Sequence, residues 1–189
     1  MKRFALGLAA VSIAACGGEP AAEAPSEASA AAEAPAAPAQ GGMTMPDWYQ
    51  MDGDNVTLDI TAGLTDTGNY WNFNGAQNGG LTITVPAGSN VTINFANNDP
   101  NMAHSIGVAA NFDSPPASVP TTPVFEGAIS ENPTSMADAT MPGESETVSF
   151  VASEAGEYTI VCYIPAHAIS GMWIRFVVSA EGDAGVTMS

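Results

Sequence analysis

From about residue 43 onward, apolar and polar residues alternate along several short segments. In the segment 81–85 leucine, isoleucine and valine alternate with threonine, and the segments 91–95, 158–162 and 174–178 repeat this pattern. A period of two places successive side chains on opposite faces, so β-branched and aromatic residues in this pattern predict half-buried strands. The pattern predicts eight strands, near residues 56–62, 69–74, 80–86, 89–96, 103–109, 146–152, 156–162 and 172–179.

Short strands separated by turns predict an all-β domain. The segments 86–89, Pro-Ala-Gly-Ser, and 154–156, Glu-Ala-Gly, are typical turn sequences between two such strands. No segment of the domain has a helical period. Eight strands of this length favour a two-sheet Greek-key β-sandwich. Residues 111–145 carry six prolines with little alternation, which predicts an irregular excursion with at most a short helix.

The N-terminus has the pattern of an export signal. Residues 1–15 begin with Lys2 and Arg3, continue as an apolar run and end in small residues, and they are too short to span a bilayer. The segment 13–16, Ile-Ala-Ala-Cys, is similar to a bacterial lipobox, in which the cysteine becomes the lipidated first residue of the mature protein. We therefore expect Cys16 to carry lipid; the alternative is an ordinary signal with an incidental cysteine.

The next segment predicts a tether between this anchor and the folded domain. Residues 16–42 consist, after Cys16, almost entirely of Gly, Ala, Pro, Glu, Ser and Gln, a composition that cannot bury a core. We expect a disordered linker over 16–42 and one folded domain over 43–189. An exported, lipidated protein would then be held at the bacterial cell envelope, facing either the periplasm or the outer surface.

The charge balance excludes one class of partner. The chain has 20 acidic residues against three basic ones, for a formal net charge of −17. Arg175 is the only Lys or Arg after Arg3, so almost nothing would neutralise phosphates, and nucleic-acid binding is excluded. An acidic surface would steer a basic partner. Solubility, or adaptation to salty or acidic surroundings, explains the same charge.

Cysteine and histidine are rare in this chain, and their spacing predicts a metal site. With Cys16 assigned to lipid, Cys162 has no disulfide partner. An unpaired thiol in an oxidising compartment is expected to have a specific function. His167 follows Cys162 by five residues and Met172 follows by five more, while the other histidine, His104, starts a predicted strand far upstream. One thiolate, two imidazoles and one thioether form the ligand set of a mononuclear blue-copper electron-transfer site.

Each of these residues alone would be unremarkable as part of a core or surface, and only the combination favours a metal. Zinc is the competing ion, but it favours more Cys, His or carboxylate ligands over a thioether. A site filled by four protein ligands has no open position for a substrate or water, which favours an electron carrier over an enzyme. Both histidines and Cys162 are then used, so none remains for a second copper centre of the oxidase type.

Two blocks of the sequence resemble the blue-copper proteins and, among them, sulfocyanin. The Cys-x₄-His-x₄-Met spacing is shared with sulfocyanin and rusticyanin, and the segment 167–173, His-Ala-Ile-Ser-Gly-Met-Trp, resembles sulfocyanin's ligand loop. The second block is Asn-Phe-Asn-Gly at 72–75, followed by Asn-Gly-Gly at 78–80. The resemblance covers about residues 69–179. It implies a cupredoxin sandwich that transfers electrons in a respiratory chain, with redox partners such as a cytochrome or terminal oxidase.

The resemblance also assigns roles to single residues. It makes His104 the upstream ligand, Cys162 the thiolate, His167 the second imidazole and Met172 the axial ligand of one copper ion that cycles between Cu(I) and Cu(II). Ser105 stands where the family often has a residue that braces the ligand loop by hydrogen bonds, although an ordinary strand serine is an equal alternative. Archaeal sulfocyanins have an N-terminal membrane helix, which the lipobox and tether replace here.

Three functions stay open at this point. The first is a monomeric electron carrier whose His167 ring edge reaches the surface within an apolar patch formed by the ligand loop around Ile169, where redox partners dock. The second is a copper carrier that delivers its metal to an oxidase. The third is a structural surface lipoprotein with a vestigial fold, which would bind no copper.

Overall fold

A computed structural model describes residues 42–189 of the chain. The expected signal peptide, Cys16 and nearly all of the expected linker lie outside these residues. Among the described residues there is no helix, and hence none long and apolar enough to cross a membrane. Nine strands are present: β1 Tyr49–Asp52, β2 Asn55–Ala62, β3 Leu81–Pro86, β4 Asn90–Asn97, β5 Gly107–Ala110, β6 Ser145–Val151, β7 Gly156–Val161, β8 Trp173–Ser179 and β9 Gly185–Met188.

The strands form two mixed sheets, which confirms the predicted all-β two-sheet class. One sheet has the order β1-β2-β4-β6 and the other the order β5-β7-β8-β3-β9. The pairs β2–β4 and β3–β8 are parallel, and all other neighbours are antiparallel. Parallel neighbours need crossover connections, so strands distant in sequence meet inside each sheet.

The core lies between the two sheets and follows from the alternation in the sequence. In β4 the odd-numbered Val91, Ile93 and Phe95 are buried, while the residues between them are exposed or half-buried. The opposite sheet contributes Ile83, Ile160 and Phe176 to the same cluster. Burying a side chain of this size contributes about 1.5–3 kcal/mol, so the sandwich is a rigid support for the loops at its ends.

Six of the eight predicted strands are confirmed within a residue or two, and two predictions need correction. Residues 69–74 are not a strand: Asn69, Tyr70 and Asn74 have φ values of 60°, 70° and 48°, a left-handed conformation that breaks a ladder. The strand predicted at 103–109 begins only at Gly107, because the segment before it turns into the interior. The short strands β1 and β9 were missed because they alternate too briefly to be recognised.

The proline-rich segment 111–145 is irregular as expected, and it has no helix. Its residues 128–130 run beside β5: Val108 N–H donates to the Ala128 carbonyl at 2.8 Å, and Ser130 N–H donates to the Ile106 carbonyl at 2.9 Å. The Ser130 hydroxyl accepts a third hydrogen bond, from Ile106 N–H at 3.1 Å. The excursion therefore covers the free edge of β5 close to the segment that carries His104.

Candidate metal centre

Cys162, His167 and Met172 lie on one loop that joins β7 to β8. Cys162 N–H donates to the Met172 carbonyl at 3.2 Å, which extends the antiparallel β7–β8 ladder by one more pair. Met172 N–H donates to the His167 carbonyl at 3.0 Å, and His167 N–H donates to the Ile164 carbonyl at 3.1 Å. These bonds fold the loop back on itself, so that the backbone of all three residues lies at the same end of the sandwich.

Neighbouring segments hold this ligand loop in place. Ala166 has a φ of 71°, and its N–H donates to the Ala117 carbonyl at 2.7 Å, which ties the loop to the irregular segment. Gly171 has a φ of 106°, and its carbonyl accepts a hydrogen bond from Asn78 N–H at 2.8 Å. The block 78–80, which resembles sulfocyanin in sequence, thus contacts the ligand loop directly through its backbone.

His104 reaches the site from the segment between β4 and β5. Its backbone N–H donates to the Thr140 carbonyl at 3.0 Å, so this residue is pinned to the far end of the irregular segment. On the side chain, Nε2 lies 2.8 Å from Oδ2 of Asp99, and Nδ1 lies 3.2 Å from Nδ1 of His167. The ring therefore directs one nitrogen toward a carboxylate and the other toward the ligand loop.

Three of the four predicted ligand atoms converge in a closed space. One nitrogen of each histidine and Sγ of Cys162 all lie within 4.8 Å of one another, and His167 Nδ1 is 3.4 Å from that sulfur. His104, Cys162 and Met172 have no exposed surface, and His167 is 2% exposed. Met172 packs in the same buried cluster as Cys162. Two imidazole nitrogens and one thiol sulfur are a donor set that suits copper.

Burial sets the protonation of these groups. It lowers the pKa of His167 to about 4, reinforced by the neighbouring His104 and opposed by Asp99. It also lowers the pKa of His104, against the hydrogen bond and charge of Asp99, which raise it. Burial raises the pKa of the Cys162 thiol, while hydrogen bonds from Ser105 and the Ile164 backbone oppose the shift. The metal-free pocket thus offers neutral imidazoles, and binding a metal would release the thiol proton.

Ser105 lies against the predicted thiolate. Its backbone N–H donates to Cys162 Sγ at 3.4 Å, and its hydroxyl oxygen is 3.6 Å from the same sulfur. The hydroxyl also accepts a hydrogen bond from Tyr163 N–H at 2.9 Å. The serine therefore links the segment of His104 to the ligand loop, and hydrogen bonds of this kind stabilise negative charge on sulfur.

The expectation that the His167 ring edge reaches the surface was wrong. Trp71 stacks on this ring, with centroids 4.0 Å apart and an angle of 21° between the planes, and the tryptophan itself is half-buried. Next to it the ligand loop exposes Pro165, Ala166 and Ile169, the last with 56% of its surface. The apolar patch thus exists, but His167 itself is buried beneath it, and the stacked Trp71 is the more exposed of the two rings.

The sequence reasoning missed two residues that contact the site, Asp99 and Trp71. Asp99 lies in the polar stretch 97–101, which looks like an ordinary turn, five residues before a predicted ligand. Trp71 was assigned to a strand. In neither case does the local sequence show which side chain it will touch.

A β-sandwich with two histidines, a cysteine and a methionine buried at one end defines a class, the mononuclear blue-copper proteins. Members of this class bind one copper ion and carry electrons. Residues 47–187 match the family model described as the sulfocyanin (SoxE) domain, and the chain belongs to this family.

A curated relative and two solved structures are similar to this chain. The sulfocyanin of Sulfolobus acidocaldarius is 32% identical over 136 residues, which cover 69% of this chain and 67% of that protein. Among solved structures, rusticyanin from Thiobacillus ferrooxidans is similar with a TM-score of 0.44 and 26% identity, covering 70% of this chain and 87% of that one. Auracyanin A, a blue copper protein from Chloroflexus aurantiacus, has a TM-score of 0.44 and 24% identity, covering 66% and 99%.

Proposed function

We propose that this protein carries single electrons between membrane-associated redox partners of a respiratory chain, using one copper ion held by His104, Cys162, His167 and Met172. The observation that carries this proposal is the convergence of two imidazole nitrogens and the Cys162 sulfur in a buried space. Copper in such a ligand set supplies a one-electron Cu(II)/Cu(I) couple. The protein has only to accept one electron from a donor and pass it to an acceptor.

The surrounding residues suit this task better than catalysis. The ligand side chains are almost fully buried, so the pocket excludes water and leaves no path for a substrate. Ser105 ties the His104 segment to the ligand loop, and the Thr140 carbonyl ties His104 to the irregular segment, which limits movement between oxidation states. A small structural change between the two oxidation states keeps the activation free energy of electron transfer low.

Electrons leave, we propose, through His167 and the indole ring of Trp71. These rings are in stacking contact, and Trp71 is the more exposed of the two. The neighbouring apolar surface of Pro165, Ala166 and Ile169 gives a partner a place to dock briefly. The many carboxylates elsewhere favour a partner with a cationic surface, such as a basic cytochrome or the basic face of a terminal oxidase.

The attachment to a membrane is a separate part of the proposal. The lipobox-like segment 13–16 supports lipidation of Cys16, and the linker composition supports a domain that stands away from the bilayer. A Cys16→Ser variant should appear in the soluble fraction of the producing bacterium, while the parent stays with the membranes and incorporates labelled fatty acid. A parent protein that takes up no lipid would contradict the anchor and leave the copper site untouched.

The principal test is the absorption spectrum of the full-length protein loaded with Cu(II). We expect an intense visible band from charge transfer between the Cys162 thiolate and copper, together with reversible one-electron voltammetry. The Cys162→Ser variant should lose this band, whereas Ser153→Ala, an exposed change outside the site, should keep it. If Cys162→Ser holds copper as firmly and cycles as readily as the parent, the proposal is wrong.

The alternative function, delivery of copper to an oxidase, makes different predictions. A carrier must release its metal, so copper should exchange quickly with a chelator and the voltammetry need not be reversible. The near-complete burial of the ligand atoms favours tightly held copper instead. Copper that leaves the protein much more slowly than electrons are exchanged would support electron transfer and contradict copper delivery.

The docking surface can be tested with a single charge. Ile169→Asp places a carboxylate in the middle of the apolar patch, so we expect slower electron exchange with a physiological partner and an unchanged visible spectrum. Val151→Asp is the matched control, because Val151 is 48% exposed and lies on β6, in the other sheet. Equal rates for the two variants would contradict docking at Ile169.

The role of Trp71 can be tested with two substitutions. Replacing it with leucine removes the ring but keeps an apolar cover over His167. We expect Trp71→Leu to slow electron exchange with the partner, while Trp71→Phe, which keeps a stacked ring, retains most of the rate. If Trp71→Leu exchanges electrons as fast as the parent, the exit does not pass through the indole.

A further inference from the structure

A buried carboxylate contacts the outer nitrogen of His104. Asp99 is 1% exposed, and its Oδ2 lies 2.8 Å from Nε2 of His104. Its other oxygen, Oδ1, accepts hydrogen bonds from the backbone N–H groups of Asn101 at 2.8 Å and Met102 at 3.2 Å. Both carboxylate oxygens therefore act as acceptors, which leaves His104 Nε2 to be the donor.

This contact decides which nitrogen of His104 can bind a metal. A neutral imidazole carries one proton, and a proton on Nε2 leaves the lone pair of Nδ1 free. Nδ1 is the nitrogen that faces His167, at 3.2 Å from the Nδ1 of that ring. The carboxylate thus presents the correct nitrogen to the pocket before any metal arrives.

Asp99 also lacks a cationic side chain to balance it. In the described part of the chain its only ion-pair partner is His104, and Arg175, the only Lys or Arg among residues 42–189, is exposed on β8. A buried carboxylate without a cation costs free energy unless another positive charge compensates it. A divalent ion beside His104 would provide that charge, because the ion and the Cys162 thiolate together leave one net positive charge.

We propose that Asp99 is a positioning residue of the copper site: it holds the His104 proton on Nε2 and places a fixed negative charge behind this ligand. The inference rests on the proposed ligand role of His104. Carboxylate partners of this kind orient metal-binding histidines and raise their basicity. A fixed negative charge also stabilises Cu(II) more than Cu(I), because the interaction grows with the charge of the ion. Asp99 should therefore strengthen Cu(II) binding and lower the reduction potential.

The variant Asp99→Asn separates this role from simple packing, because it keeps the size and shape of the side chain. If the amide oxygen stays on the N–H groups of Asn101 and Met102, its NH₂ group faces His104 Nε2 and forces the proton onto Nδ1. If the amide turns over, the two backbone N–H groups lose their acceptor. Either arrangement weakens the site, and both remove the negative charge.

The first measurement needs no copper. Long-range ¹⁵N–¹H NMR of the metal-free, full-length protein reports which nitrogen of each histidine carries the proton, and with two histidines in the chain the signals are simple to assign. We expect His104 to be protonated on Nε2 in the parent and on Nδ1 in at least part of the Asp99→Asn molecules. A parent with the His104 proton on Nδ1 would overturn the inference, even if the variant failed to fold.

The second measurement compares copper binding and the reduction potential. We expect Asp99→Asn to raise the Cu(II) dissociation constant about 10- to 100-fold and to shift the potential to a more positive value. The control is Asp59→Asn, which removes the same charge from an exposed carboxylate that also accepts a hydrogen bond, from Asn94 at 2.8 Å. Equal dissociation constants and potentials for the two variants would overturn the inference. A parent without a blue-copper spectrum would instead refute the proposed function.

Discussion

Single residues set the shape of the ligand loop. Between Cys162 and Met172 the chain turns at Ala166 and Gly171, both of which have positive φ values. At Gly171 this is combined with a close approach, because a Cβ built there would lie 2.7 Å from Oδ1 of Asn78. The position directly before Met172 therefore tolerates only glycine without strain.

Gly171→Ala should destabilise the metal-free protein by about 1–3 kcal/mol, because the methyl group adds backbone strain and displaces the Asn78 side chain. The free energy of unfolding in denaturant measures this. Gly53→Ala is a matched control: its φ of 57° is also positive, but nothing lies within 4 Å of the added Cβ. If the two alanine variants lose the same stability, the contact with Asn78 has no energetic importance.

The residue types of the predicted ligands were readable from the sequence because they are rare here. Two histidines and one cysteine outside the N-terminal segment leave little choice, and the five-residue steps in one segment are local information. The contacts of Asp99 and Trp71 were not readable. A turn aspartate and an aromatic residue near a turn are common. The turn that carries Asp99 is held by Asn97, which bonds to the distant Thr140 carbonyl, and the partner of Trp71 lies in a distant segment.

At the scale of elements, the segment between β4 and β5 decides where His104 lies. Asn97, at the end of β4, is completely buried, and its amide NH₂ donates to the carbonyls of Met102 and Thr140, both at 2.8 Å. Its Oδ1 accepts a hydrogen bond from Asp99 N–H at 2.9 Å. One side chain thus joins the end of a strand, the turn with Asp99 and the irregular segment.

Asn97→Asp should be severely destabilising, by about 2–5 kcal/mol, because a carboxylate would replace the NH₂ group between two buried carbonyls. Thermal or denaturant unfolding of the metal-free protein would show the loss. Asn90→Asp makes the same chemical change on an exposed residue, whose amide bonds to Asn55, and should alter stability by less than about 0.5 kcal/mol. A small effect at position 97 would show that these elements are held by other contacts.

The two wrong strand predictions fall in segments that hold the metal site and not in the two sheets. Residues 69–74 have the composition of a strand, yet a buried Asn72 donates to the carbonyls of Thr65 and Thr67, and the backbone turns. This turn places Trp71 over His167. Similarly, the residues before Gly107 leave the sheet so that His104 and Ser105 face the ligand loop.

At the scale of the whole molecule, the described domain carries acidic side chains against a single basic one, Arg175. Such a surface attracts cations and repels anions over a distance that salt shortens to about 8 Å at physiological ionic strength. The charge therefore affects how fast a redox partner arrives more than how the domain folds. The remaining surface would attract a cationic partner over a distance, and apolar contact near Ile169 would then hold that partner at the protein.

The charge predicts opposite salt effects for two small oxidants of the reduced protein. Oxidation by a cationic cobalt(III) complex should slow as ionic strength rises from about 10 to about 200 mM. Oxidation by hexacyanoferrate(III), an anion, should become faster over the same range. Stopped-flow absorbance at the visible copper band measures both rates. Identical salt dependence for the two reagents would show that the net charge has no influence at the site of electron exit.

The sequence by itself determined the fold class and most of the strands, and it predicted four ligands. These depend on local patterns: alternation with a period of two, turn residues, and rare side chains at short spacing. Only the tertiary structure decided that Trp71 covers His167, that Asp99 contacts His104 and that residues 69–74 turn rather than extend. The physical reason is that Trp71 meets a residue far away in the chain, while the turns at Asn72 and Asp99 depend on buried side-chain hydrogen bonds of Asn72 and Asn97. The free energy of these contacts outweighs the local preference of each segment.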